Sequence, residues 1–200
     1  DEMPTDDPQE EADDDARTSE EVAGDVIMLV AGSQDTQQMT KKKQVRWTDG
    51  EDSMQRQLEE YGASHHVTEI YSPPRVTTWA ATMRLIPGLA MDLTCVDPED
   101  GKPWDVNDEE KVKKAFRTVQ TQKPLLLIGS PMCAAFSQMN NINFSRMSKE
   151  DVEEVVAHGR RHLQVCLELY RLQMRNGLYF LHEHPASARS WKEEDIMRIA

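Results

Sequence analysis

The chain has 200 residues, which is enough for one folded domain with a substantial core and additional tails. Its net charge is −13, but residues 1–25 carry twelve acidic side chains against one arginine, so residues 26–200 are close to neutral at −2. This composition argues against a domain that binds nucleic acid through a strongly basic overall charge. No apolar run approaches the ~20 residues of a membrane helix, so no membrane partner is expected.

Residues 1–65 are predicted to form a disordered acidic and polar leader, because a block of like charge with almost no aromatic side chains cannot bury enough surface to fold. Within it, DVIMLVAG at residues 25–32 has the composition of a short strand. The basic cluster at residues 41–46 is interpreted as a solvated linker, with contact to phosphates or acidic partners as the alternative. Because the chain begins without Met and stops at Ala200 inside a helical pattern, we expect it to be a segment of a longer protein.

Regular structure is predicted from about residue 66 onwards, where segments of strand character alternate with segments of helical periodicity. The predicted strands are VTEIYS (67–72), LAMDLT (89–94), PLLLIGS (124–130) and LYFLHEHP (178–185). The predicted helices are RVTTWAATMRLI (75–86), NDEEKVKKAFRTVQTQ (107–122), SKEDVEEVVAHGRRHLQVCLELYRLQMRNG (148–177) and a last one from residue 190. This alternation predicts that residues 66–200 form an α/β domain with three layers around a parallel sheet.

Capping residues mark the ends of the two longer helices. Asn107 or Asp108 is placed to cap the helix that follows it, and acidic residues fill the first turn. Ser148 is predicted to cap the longest helix, with Asp151 at the third helical position and Gly177 just past the end. These signals fix the expected boundaries of both helices.

The candidate functional residues are those that follow the predicted strands, because ligands of open parallel sheets bind beyond the carboxyl ends of the strands. They are Ser72–Arg75, Asp92, Asp105, Ser130–Cys133 and His182–His184. One thiol and several carboxylates are therefore expected at one rim of the sheet, which a purely structural domain would not need.

Cys133 differs from Cys95 and Cys166, which are interpreted as core residues. It follows a Ser-Pro turn, and the AAFSQM after it is expected to begin a helix whose N-terminus would stabilise a thiolate. On this pattern alone, a reactive thiol and an inert one remain alternatives. The odd number of widely spaced cysteines predicts neither a disulfide framework nor a zinc cluster. It favours a reducing, intracellular setting, with the nucleus as one candidate compartment.

The stretch GSPMCAAFSQ, residues 129–138, resembles the nucleophile loop of the DNA cytosine-5 methyltransferases, whose pattern is G-P-P-C-Q-x-F-S. The matching residues are Pro131, Cys133, Phe136 and Ser137, and the departures are Met132 and Ala134, which replace a proline and a glutamine. FLHEHP at residues 180–185 is similar to the family's strand that ends in E-N-V, with Glu183 as the glutamate and His-Pro in place of Asn-Val. The two motifs come in the family's order, about fifty residues and one long helix apart.

The resemblance covers about residues 67–192 and implies a Rossmann-like fold that binds S-adenosylmethionine. Ser72 and Pro73 lie where the family has its glycine-rich cofactor turn, and Pro131 is implied as a further cofactor contact. Asp92 lies where an acidic residue holds the ribose hydroxyls, and Asp105 where an aspartate reaches the adenine amine. The family's target-recognition domain and late arginine motif are absent, so the fold is expected to be incomplete at its C-terminus. The expected partner, DNA, would then be bound largely through regions outside this segment.

The resemblance also implies how the site would act. The Cys133 thiolate would attack carbon 6 of cytosine, which makes carbon 5 nucleophilic enough to accept a methyl group. Glu183 would hydrogen-bond to N3 and stabilise the charge that develops on the ring. The target base must leave the helix stack to meet these groups. Cys133 and Glu183 are therefore the expected catalytic residues.

Three alternatives stay open. The segment is also similar to methyltransferase-like parts of mobile-element polyproteins of protists. A catalytically inactive module that acts in binding or assembly beside other polyprotein segments would explain why the cofactor turn reads Ser-Pro-Pro-Arg, without glycines and with few N–H donors. His182 and His184 share one face of a strand and suggest a metal site, but no third ligand is evident and no metal is expected. A Cys133–His182 hydrolase dyad would lack the usual G-x-C-x-G elbow.

Overall fold

The computed structural model describes residues 26–31 and 50–199. The described strands are β1 (Val26–Ala31), β2 (His65–Ile70), β3 (Pro87–Met91), β4 (Pro124–Gly129) and β5 (Tyr179–Pro185). The described helices are α1 (Gly50–Tyr61), α2 (Val76–Thr82), α3 (Glu109–Gln122), α4 (Asn140–Phe144), α5 (Lys149–Arg175) and α6 (Glu194–Ile199). Two short 3-10 turns, Ala134–Phe136 and Arg189–Lys192, follow β4 and β5. No helix within these ranges is long and apolar enough to cross a membrane.

The described strands form one sheet in the order β1-β5-β4-β2-β3. Strands β2 to β5 are parallel to their neighbours, and β1 lies antiparallel on the outer edge of β5. The α/β class and the parallel sheet are therefore confirmed, and the architecture is compatible with a Rossmann-like fold. The chain leaves β2 towards β3 on one side and later adds β4 and β5 on the other, so the strand order reverses between β2 and β4. Such a reversal opens a crevice at the carboxyl ends of the two strands.

Helices cover both faces of the sheet. On one face, Ala80 of α2 packs in a small cluster with Val67 and Ile128. On the other face, α3 and α5 contribute to the larger core. There the ring of Tyr170 stacks on Phe180 at 4.4 Å between centroids. The strand alternation explains the division, because successive side chains of a strand point to opposite faces.

The predicted caps of the two longer helices are confirmed. The Asp108 carboxylate accepts the N–H of Glu110 at the start of α3. The Ser148 hydroxyl accepts the N–H of Asp151 at the start of α5. Gly177 follows the end of α5 with a positive φ of 71°, a conformation that glycine adopts without a steric penalty.

Two regular elements lie inside the predicted leader, residues 1–65. Strand β1 confirms the predicted strand, and it pairs with β5 in a register that places Ile27 beside His184. Helix α1 was not expected from its polar sequence, yet Leu58 is only 1% exposed. Local composition missed helix α1 because tertiary contacts, such as that of Tyr61 with Tyr179 on β5, override the low helical tendency of its polar sequence. Residues 1–25 and 32–49 of the leader lie outside the described residues, and the last residue of the predicted leader, His65, already begins β2.

Candidate functional site

A cleft of about 350 Å³ opens at the carboxyl ends of β2, β4 and β5, where the strand order reverses. Its lining comes from three segments: Tyr71, Ser72, Pro73 and Arg75 after β2; Ser130, Pro131, Met132, Cys133 and Ala134 after β4; and Glu183, His184 and Pro185 at the end of β5. Five of the seven predicted site residues thus meet in one cleft, namely Ser72, Pro73, Pro131, Cys133 and Glu183.

Cys133 is partly exposed at the start of the 3-10 turn that follows β4. Its carbonyl accepts the N–H of Phe136 at 2.9 Å, which closes the turn. The expected helix after the cysteine is only this three-residue turn, so the predicted stabilisation of a thiolate by a helix dipole is wrong. A helix dipole needs several aligned peptide units, and three residues do not supply them. None of the three cysteines, all of which are described, forms a disulfide.

Glu183 lies on β5 with its side chain on the opposite face of the sheet from His182 and His184. The alternation is visible in burial, because both histidines are buried whereas Glu183 is partly exposed at the cleft. The two histidine rings lie 4.7 Å apart on their shared face, as the strand periodicity predicts. Glu183 can therefore present a carboxyl group to a molecule in the cleft, while His182 is buried in the core and His184 lies almost fully buried in the cleft wall.

His184 connects β5 with the loop that carries Cys133. Its Nε2 lies 2.8 Å from the carbonyl oxygen of Pro131, and its Nδ1 lies 2.6 Å from the hydroxyl of Ser190. Burial lowers the pKa of His184, an effect that the carbonyl of Pro131 and the charge of Glu183 oppose. The neutral imidazole donates from Nε2 and accepts at Nδ1, so both contacts are satisfied at once.

The segment that replaces the glycine-rich turn is organised by Glu69, which is 1% exposed on β2. Its carboxylate accepts hydrogen bonds from the hydroxyl of Ser72, the N–H of Val76, and both the N–H and the hydroxyl of Thr77. Tyr71, between Glu69 and Ser72, has a positive φ of 60°, which is uncommon for a residue with a side chain. The N–H donors at the start of α2 are therefore already bonded within the protein.

Asp92 and Asp105 lie outside the residues that line the cleft. The Oδ1 of Asp92 accepts the N–H and the hydroxyl of Thr94. The Oδ1 of Asp105 accepts the backbone and side-chain N–H groups of Asn107, which lower the pKa of that carboxyl. Each aspartate thus organises its own turn, and in both cases these bonds are accepted by Oδ1.

Trp104, beside Asp105, belongs to the core and presents no free face for stacking on a base. It is 1% exposed, and the ammonium groups of Lys111 and Lys114 lie over its ring at 5.1 and 5.6 Å. Both lysines bond to the buried Asp97. Burial would raise the pKa of Asp97, but these hydrogen bonds outweigh it and lower the pKa to about 2. The network fixes the loop after β3 to α3.

His182 is directed into the core, away from the cleft. It is fully buried, and its Nδ1 lies 3.0 Å from the hydroxyl of Tyr170. Burial, together with the neighbouring His184, lowers the pKa of His182 to about 3. These contacts argue against a Cys133–His182 dyad. Within residues 26–31 and 50–199, no three His, Cys, Asp or Glu side chains are arranged to hold a metal ion.

Sequence reasoning missed the contacts that hold the cleft together. The bonds from His184 to Pro131 and Ser190 join residues that are up to 53 positions apart. Tyr71, which lines the cleft, is bonded through its hydroxyl to Nδ1 of His162 on α5, 91 positions away. The HEHP sequence indicated the strand and its alternation, but no local pattern indicated the partners.

In comparisons with known proteins, no protein-family model, no curated protein and no solved structure matches the chain.

Proposed function

We propose that this chain is a DNA cytosine-5 methyltransferase-like module, with Cys133 as the nucleophile and Glu183 as the acid that stabilises the ring. One observation carries the proposal. The two residues come from motifs about fifty positions apart in the sequence, and both line the cleft at the reversal of strand order. A Rossmann-like methyltransferase fold, with DNA as the partner, is part of the same proposal.

The chemistry follows from these side chains. The Cys133 thiolate adds to carbon 6 of a flipped cytosine, and electron density moves towards carbon 5 and N3. Glu183, on the adjacent strand end, hydrogen-bonds to N3 and stabilises the charge there. After carbon 5 has been methylated, loss of its proton and expulsion of the thiolate restore the aromatic ring. The cleft wall formed by the Pro131 segment holds the thiol at this position.

S-adenosylmethionine would supply the electrophilic methyl group. Asp92 and Asp105 suit hydroxyl and amine groups, since a carboxylate accepts hydrogen bonds from both and the bonds from Thr94 and Asn107 go to Oδ1 alone. The turn after β2 suits the cofactor less well, because Glu69 already accepts the N–H groups that begin α2.

That mismatch favours a second candidate function, a catalytically inactive module that acts in binding or assembly with other segments of a polyprotein. A Ser-Pro-Pro-Arg turn whose hydroxyl and following N–H groups are bonded internally is stable without a ligand. Methyl transfer would then be lost while the sheet and the cleft persist.

Two measurements on the full chain separate the candidates. The first is calorimetric titration with S-adenosylmethionine, with Asp92→Ala as the control. The second is covalent trapping on DNA that contains 5-fluorocytosine, in the presence of the cofactor, with Cys133→Ala as the control. Binding that Asp92→Ala abolishes, together with trapping that needs Cys133, supports the methyltransferase. No binding at millimolar cofactor supports the inactive module, and methylation by Cys133→Ala would refute the nucleophile.

A further inference from the structure

His184 contacts the Cys133 loop on both sides of the cysteine. Before it, the Nε2–H of His184 donates to the carbonyl of Pro131 at 2.8 Å. After it, the imidazole lies against the ring of Phe136, 6.0 Å between centroids. Phe136 in turn donates its N–H to the carbonyl of Cys133. One buried side chain therefore holds both flanks of the short segment that presents the thiol.

The partners of His184 show which of its nitrogens carries the proton. A carbonyl oxygen only accepts, so the contact with Pro131 requires the proton on Nε2. In the neutral ring Nδ1 is then an acceptor, and it accepts a hydrogen bond from the Ser190 hydroxyl at 2.6 Å. His184 is 1% exposed and Ser190 is fully buried, so water does not compete for these bonds.

The segment after β5 is folded so that Ser190 reaches His184. The indole N–H of Trp191 donates to the carbonyl of Pro185 at 2.8 Å, and the N–H of Ala188 donates to the same carbonyl at 2.9 Å. These bonds turn the chain back over the end of β5. Residues 184–191, HPASARSW, therefore act as one unit that supports the neighbouring loop after β4.

We infer that His184 and Ser190 are a positioning pair for Cys133, in which the serine hydroxyl holds the imidazole in its orientation and the imidazole holds the Pro131–Phe136 loop. The role of Cys133 as a nucleophile rests on the proposed function, whereas the positioning contacts do not depend on it. Nucleophiles need such support because a displacement of about 1 Å reduces the rate of a reaction by roughly 100-fold. The pair itself takes no part in bond making.

The test is the alkylation rate of each cysteine in the full chain by iodoacetamide, followed by peptide mass spectrometry. Cys95, partly exposed, is the internal reference, and the buried Cys166 reports global unfolding. His184→Phe removes the donor to Pro131 while keeping a ring. We expect it to raise the Cys133 rate about tenfold relative to Cys95, because the loop opens when a buried hydrogen bond is lost. A purely structural loss would raise the rates of all three cysteines together.

Two further variants keep the test decisive. His184→Gln retains an amide donor near the position of Nε2 and should restore the Cys133 rate to within about threefold of wild type. Ser190→Ala leaves the imidazole in place without its hydroxyl partner and should raise the rate about threefold. If His184→Phe does not fold, the alkylation rate of Cys133 in Ser190→Ala alone decides the test. If Ser190→Ala and a folded His184→Phe both leave the ratio of Cys133 to Cys95 within about twofold of wild type, the pair has no positioning role.

Thiol alkylation requires neither cofactor nor DNA. A wild-type chain that fails to bind S-adenosylmethionine or to be trapped on DNA would therefore overturn the proposed function and leave this measurement interpretable. Conversely, trapping of the wild type with an unchanged alkylation ratio in the variants would support the function and overturn the positioning pair.

Discussion

Acidification should destabilise this protein through His182, a buried histidine in the middle of an aromatic cluster. Its ring is fully buried, lies 5.3 Å from the ring of Trp191 and 4.7 Å from that of His184, and bonds to Tyr170 through Nδ1. Desolvation is the main reason that the pKa of His182 falls from 6.5 to about 3, and the charge of His184 adds to it. Protonation of the folded state is therefore strongly unfavourable near pH 5.

The sign of the effect follows from linkage. The unfolded chain takes up the proton below about pH 6.5, whereas the folded chain keeps His182 neutral down to about pH 3. Stability from this residue is thus fully present above pH 6.5 and is lost as the pH falls from 6.5 towards 3. At pH 5, about 1.5 units below the pKa of the unfolded state, the loss amounts to roughly 2 kcal/mol. Burial also lowers the pKa values of His184, His162 and His66, so they act in the same direction.

The assay is urea unfolding of wild type and His182→Asn at about pH 7.5 and 5.0, followed by circular dichroism. The Tyr170 hydroxyl donates its proton to the carbonyl of Gly129, so the amide N–H₂ of asparagine can donate to this hydroxyl near the position of Nδ1, and asparagine does not titrate. The variant should be less stable than wild type at pH 7.5 because the ring is lost. Between pH 7.5 and 5.0, however, the unfolding free energy of the variant should fall by roughly 2 kcal/mol less than that of wild type. Equal losses in the two proteins, at unchanged urea dependence, would refute the assignment of the pH effect to His182.

Two substitutions test the packing and the hydrogen bonds around the cleft. In Gly159→Ala the new Cβ would clash with the Cβ of Ala135 in the turn after Cys133. The overpacking should cost ~1–3 kcal/mol of stability, more than the gain of up to ~1 kcal/mol from the higher helix propensity of alanine. The urea midpoint should therefore fall. A rise would contradict the close approach of α5 to this turn. In Glu69→Gln an amide N–H₂ would face a cluster of donors that includes Thr77. The loss should be about 2–3 kcal/mol in the same measurement, and an unchanged midpoint would show that the carboxylate is not what organises the turn.

Much of the fold could be predicted because its signals are local. The caps at Asp108 and Ser148 and the glycine at Gly177 act on the first or last turn of their own helices. Strand β4 is continuously apolar, which is the pattern of a strand covered on both faces of a sheet. Strand β5 alternates between buried and partly exposed residues, which is also a local signal of a strand. Helix α1 was missed because its sequence is largely polar, and the segment after Cys133 forms only a short turn, which packs against α5.

The candidate site could be predicted only in part. Cys133, Glu183 and Ser72 were all expected at the carboxyl ends of strands, and all three line the cleft. Asp92 and Asp105 were expected at the same rim, but both organise their own turns outside the cleft lining. A position after a strand indicates which rim of the sheet a residue occupies. It does not indicate how far along that rim the residue lies or which group its side chain will bond.

The sequence by itself determined the strands and the longer helices after residue 65, their order and the residues at the strand ends, because helix capping and strand alternation act over a few residues. Only the tertiary structure decided that β4 lies between β2 and β5, and this order brings Ser72, Cys133 and Glu183 to one cleft. It also decided that the imidazole of His184 supports the cysteine loop. Both outcomes depend on burial and hydrogen bonds between segments about fifty or more residues apart, and no local pattern records such contacts.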